Sequence, residues 1–225
     1  MNRRETTTDV VARVLSEAAA PWVWNIVVPI VVGVSVGSVS WGLFAAAILG
    51  LLPMIVIIGL MAFRQVVDHH VSNKAERPFV VVAIAVVVVA GFITMVIDSA
   101  PTELATLVAA GFVVVVVAGG ITAATSYKVS FHAAVAWGQT LALVLIAQSV
   151  WLIVPILVAT GTCWARLQRQ AHTRSEVAIG TGVGLVCVAS VSSSSTLCTE
   201  RRAPHSRTRA DTSQRPARPH PLVEP

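Results

Sequence analysis

The sequence predicts an all-α polytopic membrane protein, a helical bundle of about six or seven transmembrane helices, from two observations. Hydrophobic residues make up 55% of the chain and charged residues 12%, with a mean hydropathy of +0.77. A soluble domain carries about a quarter charged residues. The apolar residues also come in runs of membrane length, since about 20 residues rising 1.5 Å each cross a hydrocarbon core of roughly 30 Å. Valine-rich runs such as VVVVA would favour strands in water, but in lipid a helix satisfies its own backbone groups.

Polar punctuation sets the elements in order. Residues 1–21 form a polar N-terminal segment of mixed charge, without the short apolar core and small-residue cleavage site of a secretory signal. A transmembrane domain is predicted over 22–198. Its first two spans, 22–38 and 41–63, meet at a tight connection and are followed by the polar loop 64–78. Spans 79–97 and 104–123 form a second hairpin across the turn 98–103, then comes SYKVSFH at 126–132. Shorter spans at 133–147 and 150–163 form a third hairpin, followed by WARLQRQAHTRSE at 164–176. A weaker last span covers 177 to about 191. From 199 to 225 the chain holds six Arg and five Pro with few apolar residues, the composition of a disordered tail.

One complete hairpin separates each polar cluster from the next. An even number of crossings returns the chain to its starting side, so 64–78, 126–132 and 164–176 face one side of the membrane and can converge. The basic residues lie beside spans or in the tail, which points the net charge of +5 towards anionic lipid or phosphate rather than nucleic acid. Cys163, Cys187 and Cys198 are odd in number and lack metal-ligand spacing. Asp68, His69 and His70 are adjacent, so their side chains diverge and make a poor metal site. No metal and no cofactor are expected.

The clusters carry chemistry that suits phosphate. His172 and Glu176 are four apart, within reach on one helix face. A carboxylate on one imidazole nitrogen fixes the tautomer and makes the other more basic, as a base or nucleophile requires. Arg166 supplies a planar fork for phosphate oxygens, but six residues before His172 it needs a helix end or turn to reach the same ligand. Ser130 is placed as an N-cap, and a helix N-terminus attracts phosphate. His132 is then positioned to protonate a leaving oxygen. His70, Lys74 and Arg77 add positive charge from the first loop. All of these basic residues also fit a plainer role, as anchors that snorkel to headgroups.

Taken together, the three clusters resemble the type 2 phosphatidic acid phosphatase superfamily of integral-membrane phosphatases, whose motifs are K-x6-R-P, P-S-G-H and S-R-x5-H-x3-D. Here the order is His70-x6-Arg77-Pro78, then Val129-Ser130-Phe131-His132, then Ala165-Arg166-x5-His172-x3-Glu176. The resemblance covers about 64–185. It implies that Arg77 and Arg166 bind phosphate, with Ser130 and His70 or Lys74 beside them. It implies His132 as general acid, His172 as the nucleophile forming a phosphohistidine, and Glu176 in place of the orienting Asp. The chain departs from the pattern at His70 (Lys in the family), Phe131 (Gly) and Ala165 (Ser).

The function expected is metal-independent hydrolysis of a lipid phosphate or polyprenyl (di)phosphate, with the bilayer and the lipid substrate as partners. Two other readings use the same residues. One is a catalytically degenerate member that binds lipid headgroups or a protein partner, favoured by Phe131. The other is a small proton-coupled transporter with the histidines as a relay, against which the motif spacing argues. The protein is expected in the plasma (inner) membrane; the positive-inside rule places the motif side in the cytoplasm, whereas the resemblance implies a site that often faces outward.

Overall fold

The computed structural model describes residues 6–63, 77–146 and 153–202, with the side chains of all of these except 77, 78 and 196–202. The described residues form helices and their connections, with no strand among them. The chain divides into a compact unit, Met1–Ser192, and a second unit, Ser193–Pro225. All that follows concerns the first unit, apart from the bounds of the last helix.

The N-terminal segment contains a helix, α1 (Thr7–Ala18), started by a capping box. Thr6 Oγ1 accepts from Asp9 N and the Asp9 carboxylate accepts from Thr6 N. Helix α2 (Pro21–Ser35) opens with proline, tolerated where the missing N–H has no helical acceptor. The next span is α3 (Val39–Ala46), a π-helical turn at Ala47–Leu51, and α4 (Leu52–Ala62). Pro53 lies just past the π turn and cannot donate to Leu49 O, its α-helical acceptor. Asn25 Nδ2 donates to that carbonyl instead, at 3.1 Å. Then come α5 (Arg77–Ile97), α6 (Thr102–Ala124), α7 (Phe131–Leu145), α8 (Ile153–Gln168) and α9 (Arg174–Arg202).

Three of these helices end in the same way. After α2, α5 and α8, residues Gly37, Ser99 and Gln170 adopt φ of 69, 55 and 51°. In each case the next residue's N–H reaches back five positions: Ser38 to Gly33 O, Ala100 to Met95 O, and Ala171 to Arg166 O. These are Schellman motifs, which satisfy the last carbonyls while reversing the chain.

Among the described residues, four helical segments are long and apolar enough to cross a bilayer: Val39–Ala62, Phe79–Ile97, Thr102–Ala124 and Arg174–Ser195. The count is five if α1 and α2, bent by 48° at their junction, form one span. Every apolar segment predicted as a span is helical where described, apart from end residues 36–38, 63 and 146. Yet α2 and α7, with 15 residues each, are only about 22 Å long. Two boundaries differ from expectation. Helix α8 runs to Gln168, so Arg166 sits in its last turn rather than in a loop. Helix α9 starts at Arg174 and continues to Arg202, past the predicted start of the tail at 199. Residues 203–225 lie outside the described residues.

The outer surface has the character of a membrane protein. On α5, Phe79, Val82, Val86, Val89, Ile93 and Val96 form an exposed stripe at helical spacing, while Val80, Val88 and Met95 are buried on the other side. A helix apolar all round suits lipid on its outer face. Inside, packing relies on small residues, as between membrane helices where the backbones themselves must meet. A Cβ at Gly180 of α9 would stand 2.5 Å from Ser130 O, and one at Gly184 would collide with Ala134 O of α7. These two glycines, one turn apart, let α9 seat directly on the first turns of α7. This brings the segment before α9 beside the segment before α7, where His172 Nδ1 lies 3.0 Å from the Lys128 carbonyl.

Candidate functional site

The site forms where the start of α7, the end of α8 and the start of α9 meet. A cavity of ≈ 170 Å³ is lined there by His132, Arg166 and His172, and by Phe131 from the head of α7. His132, Arg166 and His172 are all buried. The Schellman turn after α8 makes the juxtaposition of Arg166 and His172 possible. Six residues apart on an unbroken helix they would diverge; across this turn they reach one cavity.

His172 is held at Nδ1. That nitrogen is 3.0 Å from the Lys128 carbonyl and 3.4 Å from Glu176 Oε2. Both neighbours are acceptors only, so Nδ1 carries a proton, and in the neutral ring the lone pair is on Nε2. Glu176 is fixed in turn. Its Oε1 accepts from Lys128 N at 2.8 Å and its Oε2 from Thr173 N at 2.9 Å, while Thr173 Oγ1 accepts from Glu176 N. Thr173 and Glu176 are therefore a capping box at the start of α9. One carboxylate starts the helix, ties the connecting segment at Lys128 to it, and lies beside the histidine.

Arg166 Nη1 donates to Ser16 Oγ at 3.0 Å, and Ser16 is fully buried. Burying a guanidinium costs several kcal/mol unless hydrogen bonds and counter-charge offset it, and the bond to Ser16 supplies part of that offset. Helix α1 is bound to the same corner by an ion pair between Arg169 and Glu17 at 3.7 Å and a hydrogen bond from Gln168 to Asp9 at 3.3 Å.

Of the predicted site residues, His132, Arg166 and His172 share the cavity wall. Ser130 and Glu176 stand behind it. Ser130 caps α7, its hydroxyl accepting from Ala133 N at 3.5 Å, and its own N–H donates to Glu176 O at 3.2 Å. Arg77 is the first residue of α5, one turn before Val80 and Val81, which line the cavity; its side chain is outside the described residues, as are His70 and Lys74. No cluster of three or more metal-ligating side chains occurs among the described residues.

Three participants were not singled out from the sequence. Thr173 carried a readable signal, the T-x-x-E of a capping box. Ser16 carried none, since its role depends on α1 docking against α8. Nor did the backbone of Lys128, since every residue but proline offers the same amide and carbonyl. Compared with models of protein families, with curated proteins and with solved structures, the chain matches none of them.

Proposed function

We propose that the chain is an integral-membrane phosphatase hydrolysing a lipid phosphate or polyprenyl (di)phosphate through a phosphohistidine at His172, on a bundle of six or seven spans resembling the type 2 phosphatidic acid phosphatase core. The observation that carries this reading is the fixed tautomer of His172 in a cavity shared with a second buried histidine and a buried arginine. The mechanism follows from those positions. The phosphate lies against Arg166 and the N-terminal turn of α7, while the lipid chain follows the apolar wall formed by α5 and α6. The Nε2 lone pair of His172 attacks phosphorus in line. As the P–N bond forms, the bond to the leaving oxygen breaks and His132, as imidazolium, gives that oxygen its proton. Glu176 and the Lys128 carbonyl stabilise the charge that develops on His172. Water then attacks the phosphohistidine with neutral His132 taking its proton, and inorganic phosphate leaves. The test is quenching of the purified full chain in alkaline detergent during turnover of a lipid phosphate. An acid-labile, base-stable phosphoprotein is expected; turnover without one excludes the mechanism.

A second reading, a headgroup-binding protein without turnover, is favoured by Phe131, whose ring lines the cavity where the resembled family has glycine. Phe131→Gly distinguishes the two. A rate that rises means the ring narrows a working site; a chain that binds phosphate yet stays inert with glycine there is a binder.

A further inference from the structure

We infer that Asn25 and Gln139 form a second recognition point in this cavity, which accepts a hydrogen bond from a hydroxyl on the backbone of the bound lipid. Both residues line the same cavity as His132 and His172. Their orientation is set by a chain of hydrogen bonds that begins at Pro53. The Leu49 carbonyl can only accept, and Asn25 Nδ2 donates to it at 3.1 Å. Asn25 Oδ1 therefore faces Gln139, and takes its Nε2 at 2.7 Å. That leaves Gln139 Oε1, buried in a side chain 6% exposed, with no partner among the described residues. A buried acceptor without a donor costs free energy that a fitting ligand recovers. The sign is definite: the site wants a donor.

The spacing places that donor close to the phosphate. Gln139 follows His132 by seven residues on α7, which brings it back to within about 20° of the same face and about 10 Å further along. Helical side chains lean towards the N-terminus, so the amide reaches back towards His132. A hydroxyl within the first few atoms after the phosphate ester lies in this interval. The neighbouring wall is apolar, with Leu49, Val114, Val135 and Val188. Polyprenyl phosphates and diacylglycerol phosphates carry no donor there, whereas monoacylglycerol phosphates and sphingoid-base phosphates carry a free hydroxyl. The inference rests on the cavity being a lipid-phosphate site and names the substrate class within it.

The experiment measures binding, so that it does not depend on turnover. Two non-hydrolysable phosphonates of a monoacylglycerol phosphate, one with the free backbone hydroxyl and one deoxy, are titrated against the purified full chain in detergent. The hydroxyl form should bind about tenfold tighter, the size of one good neutral hydrogen bond. In Gln139→Leu the two should bind alike, at the deoxy form's Kd. Equal Kd values in the native protein, or a preference that survives Gln139→Leu, overturn the inference. If Gln139→Leu does not fold, the ratio in the native protein decides alone. If the phosphonates bind but the corresponding phosphate esters are not hydrolysed, the phosphatase reading fails while the subsite stands on its ratio. If neither phosphonate binds, both fall.

Discussion

The carbonyl of Lys128 stands 3.0 Å from Nδ1 of His172, across 44 residues of chain. It is a second acceptor for that nitrogen beside Glu176, whose Oε2 is further away at 3.4 Å and whose Oε1 holds the Lys128 N–H. A histidine oriented by a carboxylate alone loses about 10⁴ in rate when that carboxylate becomes an amide, because the wrong tautomer is then favoured. Here the carbonyl still demands a proton on Nδ1. Glu176→Gln should therefore lower kcat by only about 10–100-fold. Glu176→Ala should add a loss of about 1 kcal/mol in stability, from the capping box at the start of α9. Single-turnover rates and thermal unfolding in detergent separate the two effects. A Gln variant as inactive as His172→Ala would mean that the carbonyl does not fix the ring.

His172→Ala should remove the phosphoprotein altogether and reduce turnover by at least about a thousandfold, as loss of a nucleophile does. Chelators should leave the native rate unchanged, since the proposed chemistry uses no metal. Phosphoenzyme trapping in the variant and initial rates with and without EDTA check both points. Activity that needs a divalent ion would sink the mechanism.

Arg166→Lys should lower kcat/KM by about a hundredfold, because a point charge does not reproduce a bidentate fork. Ser16→Ala removes a group that positions the arginine without touching phosphate, and one neutral hydrogen bond is worth about 1 kcal/mol. Its effect should be about fivefold on KM, with kcat within twofold. Steady-state kinetics on both variants test the distinction. A Ser16→Ala variant that loses kcat instead would place Ser16 in the chemistry.

Much of this site was legible because its residues keep fixed spacing around membrane hairpins. Hairpin parity predicted that the clusters at 64–78, 126–132 and 164–176 converge; His132 and His172 do line one cavity, while 64–76 lies outside the described residues. The need for a turn between Arg166 and His172 was also evident, since six helical residues cannot point both inward. That Gln170 would make this turn was not, because αL geometry at a non-glycine residue leaves no clear mark in composition. Ser16, Asn25 and Gln139 escaped notice for a related reason. Each is a single polar residue in an apolar or mixed stretch, and its partner lies far along the chain: 150 residues for Ser16 and Arg166, 114 for Asn25 and Gln139. Periodicity reports which face a residue occupies, not what faces it.

The seating of α9 on α7 gives a test with an internal control. In an exposed helix, Gly→Ala stabilises by up to about 1 kcal/mol. A Cβ at Gly184 would run into the Ala134 carbonyl, whereas one at Gly182 meets nothing within 4 Å. Gly182→Ala should thus be neutral or raise Tm by a few degrees. Gly184→Ala should lower stability by about 1–3 kcal/mol, the usual cost of overpacking, and should lower turnover as His132 and His172 move apart. Thermal unfolding of the two variants side by side is the measurement. Equal behaviour would mean that the helices are not in backbone contact.

The distribution of charge predicts an orientation in the membrane. If every predicted span crosses, the side bearing the motifs carries Arg3, Arg4, Arg13, Arg64, Lys74, Arg77, Lys128, Arg166, Arg169 and Arg174. The connecting turns at 38–40, 98–103 and 147–149 carry no Lys or Arg. Since Arg166 and the other motif residues have a reason to be basic apart from topology, the decisive ones are Arg3, Arg4, Arg13 and Arg64, which lie outside the motifs and count towards the cytoplasm. Helix α9 works in the opposite sense. Its segment Arg174–Ser195 is long and apolar enough to cross, and a crossing would carry the six arginines of 199–225 to the far side. The short connections nearest the spans weigh most in the rule, so the motif side should still face the cytoplasm. Single cysteines at Thr6, Ser72 and Ser213, in a background without the three native ones, decide this with an impermeant thiol reagent on intact cells. Only the Ser213 position should be labelled. Labelling at Thr6 and Ser72 instead would turn the protein over and open the site outward. Protection of all three would mean that α9 does not cross, and that the tail shares the cytoplasmic side with the site.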